Sequence, residues 1–254
     1  ATAGLRPIVE VMFNDFLWLV GDQLFNGAAK LRFLSAGQHS CKLTVRTVIG
    51  GGGRAGIHHS QVLYSLATHV PGVKVVVPST PFDAKGVLIS AIRDDDPVLV
   101  FEHKLLYGFT GEVPEDSYVV PIGKAKIRKQ GTDVTVVAIS LMVHRAEEAA
   151  LELEEKGISV ELIDPISLSP LDEDTILSSV AKTGHLVIVD ESNPRCSMAT
   201  DIAALVADKA IDYLDGPIKM VTAPHSPVPF SPPLEDAYLP NKADIIKAVM
   251  QSLM

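Results

Sequence analysis

Cysteine is scarce in this chain, with only Cys41 and Cys196 among 254 residues, far apart and in no metal-type spacing. That excludes a disulfide framework and points to a reducing, cytoplasmic compartment. Basic charge is also short: 22 Lys and Arg stand against 31 Asp and Glu, for a formal net charge of -9. Such a balance argues against a nucleic-acid backbone or an anionic membrane as the main partner. No apolar run approaches the roughly 20 residues of a membrane helix. Three motifs are missing as well: the phosphate loop G-x-x-x-x-G-K-[ST], the nucleophile elbow G-x-S-x-G and the calcium loop D-x-D-x-D-G. Nor is a signal or transit segment expected from these residues. The chain opens Ala1-Thr2-Ala3-Gly4-Leu5-Arg6-Pro7, without an initiating methionine, and runs straight into Ile8-Val9-Glu10-Val11-Met12, so it reads as starting partway through a domain.

What is present is a globular composition, 47% hydrophobic and 21% charged. The length suits two domains of about 130 residues each. Apolar, β-branched runs at 8–12, 43–49, 73–78 and 97–102 read as strands in the first half. Helical spacing covers 15–34, broken by Gly21 and Gly27, and again 59–68. Thr80-Pro81-x-Asp83 has the chemistry of a helix start: a capping hydroxyl, a proline in the first turn and an acid after it. Residues 111–122 are rich in Gly, Pro and acids and read as a linker between domains.

The second half is more regular. Strands at 133–140, 159–164, 185–190 and 218–223 alternate with helices near 142–156, 172–182, 198–210 and 242–252. Ser169-Pro170-x-Asp172 repeats the helix-start pattern. Continuous apolar strands are expected where helices cover both faces of a parallel sheet. The fold class is therefore α/β with two doubly wound domains, at 1–110 and 123–254, and function is expected at the carboxyl ends of strands.

Four groups of residues suggest chemistry. Gly51, Gly53 and Gly56 satisfy the dinucleotide pattern G-x-G-x-x-G, but residues 70–80 offer no acid for a ribose; a flexible active-site loop is the competing reading. Directly after it, His58-His59-Ser60-Gln61 stands at an expected helix start. Neighbouring histidines on a helix point about 100° apart and rarely share a metal, so one is read as an acid, base or donor facing a cleft, with a structural histidine as the alternative. Met12, Phe13 and Phe16 form either plain core or an apolar slot for a flat ring. Asp94-Asp95-Asp96-Pro97 reads as a solvated turn or a weak monovalent-cation loop built from carbonyls. Asp190, Glu191 and Arg195 read as exposed charge, or as a binding or interface group.

Taken together, PIVEVMFNDF, the spacing of Asp22, Gln23, Asn26, Ala28, Ala29 and Lys30, the glycine loop with HHSQ, KVVVPSTPFDAKG, AIRDDDPV and VPFSPPLEDAYLP carry a family resemblance. The chain resembles the beta subunits of the decarboxylating component of thiamine diphosphate-dependent 2-oxo acid dehydrogenase complexes, most closely the acetoin and pyruvate branch. The similarity runs over nearly the whole chain.

The resemblance implies a pyrimidine-binding domain and a transketolase carboxyl-terminal domain. It implies an α2β2 heterotetramer, in which the alpha subunit holds the diphosphate and magnesium through a G-D-G motif; Gly21-Asp22-Gln23 here is not such a site. Phe16 matches the aromatic that stacks on the aminopyrimidine, Met12 an apolar contact to the same ring, and His59 the histidine facing the reactive carbon, which takes part in proton transfer and in acyl transfer to lipoyl groups of an acyltransferase core. Leu43, Ala91, Ile92, Asp94 and Asp96 match the positions of a potassium site built largely from backbone oxygens.

One departure stands out. The family's cofactor-activating glutamate lies upstream of the segment matching Ala1, and Glu10 does not match it, so the resemblance implies that this chain as written is not catalytically competent, even with an alpha subunit. The implied reaction is carbon–carbon cleavage of acetoin or a 2-oxo acid with transfer of the acyl unit to a lipoyl group. Two rivals remain: a non-catalytic scaffold for the alpha subunit and acyltransferase, and a Rossmann-type NAD dehydrogenase using Gly51, Gly53 and Gly56.

Overall fold

The computed structural model describes residues 1–254, and the chain divides into two compact units: Ala1–Lys124 with Ile166–Pro170, and Ala125–Pro165 with Leu171–Met254. The strands, in chain order, are β1 (Ile8–Val11), β2 (Thr44–Ile49), β3 (Lys74–Val76), β4 (Val98–His103), β5 (Lys126–Lys129), β6 (Val134–Ala138), β7 (Val160–Asp164), β8 (Ser167–Ser169), β9 (Leu186–Asp190) and β10 (Lys219–Thr222). In the first unit they lie in the order β1-β2-β4-β3-β8, and in the second β10-β9-β6-β7-β5. Pairing is parallel except where β8 joins β3 and β5 joins β7. The α/β reading therefore holds, and each parallel sheet carries one antiparallel edge strand.

The continuous apolar strands are buried because helices flank the sheets. In the first unit Val76, Val98 and Val100 pack with Val87 and Ala91 of the helix Pro81–Arg93. In the second, Val137, Ile163 and Ile188 pack with Ile176 and Val180 of the helix Glu173–Thr183 and with Ile202 and Val206 of the helix Met198–Lys209. Leu99 and Phe101 of β4 are fully buried, and each such side chain contributes about 1.5–3 kcal/mol.

The helix start at Thr80 forms as its sequence predicts: the hydroxyl accepts from Asp83 N–H at 3.1 Å, and Pro81 opens the helix. The segment 111–122, read above as a linker, is bound along this helix. Tyr118 stacks on Phe82 with ring centroids 4.5 Å apart, Ser90 Oγ donates to the Val120 carbonyl at 2.6 Å, and Val120 enters the core of the first unit.

Several expectations are corrected. Residues 15–34 are not one broken helix. They form a run of short pieces, with 3-10 turns at Asn14–Phe16 and Ala28–Lys30, α-turns at Leu17–Gly21 and Leu31–Leu34, and a π-helical turn at Asp22–Gly27. Gly21 and Gly27 both disfavour a long regular helix. The expected helix 59–68 begins only at Tyr64 and ends at Thr68. At Ser169 the pattern misleads: Ser169 ends β8, the Ser169–Pro170 bond is cis, and Asp172 caps the helix by accepting from Thr175 N–H at 3.4 Å. Asp190 and Glu191 are buried rather than exposed. Asp190 accepts from the backbone N–H groups of Ser192 at 2.8 Å and Ala199 at 3.2 Å, which seats the first turn of the helix Met198–Lys209.

Candidate active site

The site of the first unit starts from two buried polar side chains. Asn14 and Asp15 follow β1 and are 0% and 8% exposed. Buried polar groups persist only when hydrogen-bonded, and both find partners in the loop after β2. Asn14 Nδ2 donates to the Gln61 carbonyl at 2.9 Å, and Asn14 Oδ1 accepts from Leu63 N–H at 2.7 Å. Asp15 Oδ1 accepts from Gln61 Nε2 at 2.8 Å. These bonds hold residues 61–63 outside any helix, and this is why the helix expected from residue 59 does not start there.

Bound in this way, the loop brings His59 against the aromatic residues flanking Asn14 and Asp15. The His59 imidazole meets Phe13 edge-to-face with centroids 4.6 Å apart, and Phe16 likewise at 5.6 Å. Phe13 and Phe16 are themselves edge-to-face at 6.1 Å. All three are half-buried, Met12 just before them is 63% exposed, and His58 is exposed. Two of the three residues named from sequence, Phe16 and His59, are thus in one cluster. Phe13 is a third member that the sequence offered only as part of an apolar slot. The arrangement presents an apolar, aromatic wall with an imidazole in it, which suits a flat heteroaromatic ligand.

The glycine run does not form a dinucleotide loop. That motif needs a helix N-terminus directly after it, whereas the first helix here starts at Tyr64. The parallel register of β2 and β4 pairs Ile49 with His103. It brings the loop across His103 and Lys104, and Lys104 Nζ donates to the His59 carbonyl oxygen.

The oxygens expected to hold potassium carry protein donors. Arg6 donates to the carbonyls of Ile92 at 3.0 Å and Asp94 at 2.6 Å. The Leu43 carbonyl accepts from Val98 N–H and the Ala91 carbonyl from Asp94 N–H. Asp94 binds Lys74 at 2.7 Å, Asp95 binds Arg6 at 2.9 Å and Lys42 at 3.3 Å, and Asp96 binds Arg32 at 2.5 Å. Arg6 and Lys42 hold the Asp95 carboxyl below its ordinary pKa range. Three carboxylates thus face four protein cations, and protein donors take up one lone pair of the carbonyls that potassium would use. No group of three or more His, Cys, Asp or Glu side chains converges to hold a metal.

A separate cavity of about 340 Å³ in the first unit is lined by Arg46, Ser79, Lys85, Glu102, His103 and Tyr107, among others. Its charges are answered internally. Arg46 binds both carboxylate oxygens of Glu102 at 2.8 Å, and Tyr107 donates to Glu102 at 2.7 Å. Burial, then the bond to Glu102, pushes the Tyr107 phenol well above the usual tyrosine range.

Comparison with known proteins matches residues 1–110 to the transketolase pyrimidine binding domain and residues 123–245 to the transketolase C-terminal domain. The chain is 56% identical to the acetoin:2,6-dichlorophenolindophenol oxidoreductase subunit beta of Bacillus subtilis (strain 168), covering 100% of this chain and 74% of that protein. It is 53% identical to the protein of the same name from Cupriavidus necator, covering 100% and 75%. Against the pyruvate dehydrogenase E1 component subunit beta of Bacillus subtilis the identity is 42%, covering 98% and 77%. Among solved structures, a split-gene transketolase described as an inactive beta4 tetramer superposes with a TM-score of 0.82 at 22% identity, over 100% of this chain and 77% of that one, a likeness of fold.

Proposed function

Because this chain belongs to the family of acetoin and pyruvate dehydrogenase beta subunits built on transketolase pyrimidine-binding and C-terminal domains, we propose that it supplies the beta half of a thiamine diphosphate site that cleaves acetoin or a 2-oxo acid. The observation that carries this reading is the Phe13–Phe16–His59 cluster, fixed by the buried Asn14 and Asp15. Phe16 and Met12 would take the aminopyrimidine ring of the cofactor. When bound, thiamine diphosphate supplies a carbanion-forming centre that cleaves a bond next to a carbonyl.

The chain's own residues would do the rest. Phe13 and Phe16 exclude water beside the reacting carbon and lower the local dielectric, which strengthens every polar interaction there. The His59 imidazole would give or take a proton at the substrate oxygen. An alpha partner would hold the diphosphate and magnesium, and a lipoyl group on an acyltransferase core would accept the acyl unit. The partner reading is supported by Trp18, Leu19, Phe33 and Leu34, which are 66%, 81%, 89% and 76% exposed on the first unit. Apolar exposure on that scale marks interaction surfaces.

The test is calorimetric titration with thiamine diphosphate and magnesium, for the beta chain with and without its alpha partner. Saturable binding only with alpha, weakened by Phe16→Ala, is expected. Binding that ignores Phe16 refutes the site, and binding of NAD instead revives the Rossmann reading.

A further inference from the structure

The carbonyl oxygen of His59 receives its hydrogen bond from outside its own loop. The donor is Lys104, the residue after the end of β4. Its ammonium also stands 5.5 Å from the centroid of the Phe13 ring, on which His59 packs. To reach this place the lysine stem crosses the glycine run. A Cβ at Gly53 would lie 2.8 Å from Lys104 Cδ, closer than side chains pack. At Gly50, where φ is +95°, a Cβ would lie 2.0 Å from His103 Nε2. The first and last of the consecutive glycines are therefore the places where His103 and Lys104 pass against the loop backbone. The register that pairs Ile49 with His103 makes this crossing unavoidable.

We infer that Lys104 is a positioning residue for the proposed reaction: its ammonium ties the His59 backbone to the face of Phe13, and Gly53 is small so that it can. The inference rests on the reading of His59 as the proton-transfer group. An ammonium has three donors and no acceptor, so it can bridge a carbonyl oxygen and an aromatic face at once, and both contacts are stronger for the charge. Residues 50–63 have no regular secondary structure. The loop's backbone is fixed at one end by Asn14 and Asp15, and Lys104 provides a second fixing point at His59 itself. Displacement of a reacting group by about 1 Å costs up to about a hundredfold in rate, so a fixing point beside the imidazole acts on turnover more than on substrate capture.

The experiment uses three variants, Lys104→Met, Lys104→Arg and Gly53→Ala. Lys104→Met keeps the stem and deletes the ammonium. Amide hydrogen exchange is read over residues 51–60 in the beta chain, and steady-state kinetics are read in the full-length beta subunit reconstituted with its alpha partner. Lys104→Met is expected to speed exchange in this segment several-fold, as local opening becomes easier, and to lower kcat about tenfold with KM changed less than about twofold. Lys104→Arg should recover most of both losses. Gly53→Ala should reproduce the Lys104→Met effect and add little to it in the double variant, because both break the same contact. Unchanged exchange and kcat in Lys104→Met, or full additivity with Gly53→Ala, overturns the inference. If the parent enzyme shows no thiamine diphosphate-dependent turnover, the functional reading fails instead, and the exchange arm still decides whether Lys104 fixes the loop.

Discussion

Phe13 and His59, 46 positions apart in the chain, meet edge-to-face with ring centroids 4.6 Å apart and an interplanar angle of 83°. Neither residue lies in a regular strand or α-helix. Their meeting depends on the side chains next to them: Asn14 and Asp15 reach into the second loop and hold Gln61 and Leu63. The site is therefore built by polar bonds between two irregular segments, on a frame of parallel strands.

The first prediction concerns that frame. Asn14→Ala removes one donor from the Gln61 carbonyl, which keeps the Gly50 N–H at 3.2 Å, and leaves the half-buried Leu63 N–H without its acceptor, a loss of about 1–3 kcal/mol. Urea denaturation should show a destabilisation of about 1–3 kcal/mol. An unchanged midpoint would mean that the loop is held by something other than Asn14.

Acid sensitivity should concentrate at Glu161 in the second unit. Burial raises its pKa, but bonds from Lys182, Ser179 and the Gly131 N–H outweigh this and leave the carboxyl below its ordinary value of 4.5. A carboxyl whose folded pKa is depressed adds stability above its unfolded pKa and loses it as pH falls through the folded value. Thermal melts of the parent and Glu161→Gln should differ most near neutral pH and converge as pH falls through the depressed folded value. A gap that widens on acidification would contradict the sign.

Potassium provides a third test. With Arg6 on the Ile92 and Asp94 carbonyls and Lys74, Lys42 and Arg32 on the carboxylates, exchanging sodium for potassium should leave the melting temperature of the chain unchanged. Arg6→Met should lower it in either salt. A stabilisation specific to potassium would show that the loop accepts the ion despite its protein cations.

Much of the fold was legible because it depends on local chemistry. Continuous runs such as Val134–Ala138 and Leu186–Asp190 can only be buried strands, and Thr80-Pro81-x-Asp83 carries its own cap. The edge strands β5 and β8 were missed, since a four-residue segment with three basic residues and a three-residue Ser-Leu-Ser segment have no periodic signal; pairing with β7 and β3 makes them strands. His59, Met12 and Phe16 were singled out by motif. Lys104 was invisible, because its role arises from the register of β2 against β4. The one local hint was the glycine run itself, whose bareness signals that something passes close by.

The measurement that bears most directly on the central claim is thiamine diphosphate-dependent turnover of acetoin and of pyruvate by the full-length beta subunit reconstituted with its alpha partner, parent against His59→Ala. The account predicts turnover of at least one of these substrates by the parent. It also predicts a loss of about a hundredfold or more in kcat for His59→Ala, the scale of general acid–base catalysis, with cofactor affinity retained. Parent-like turnover by His59→Ala would contradict it.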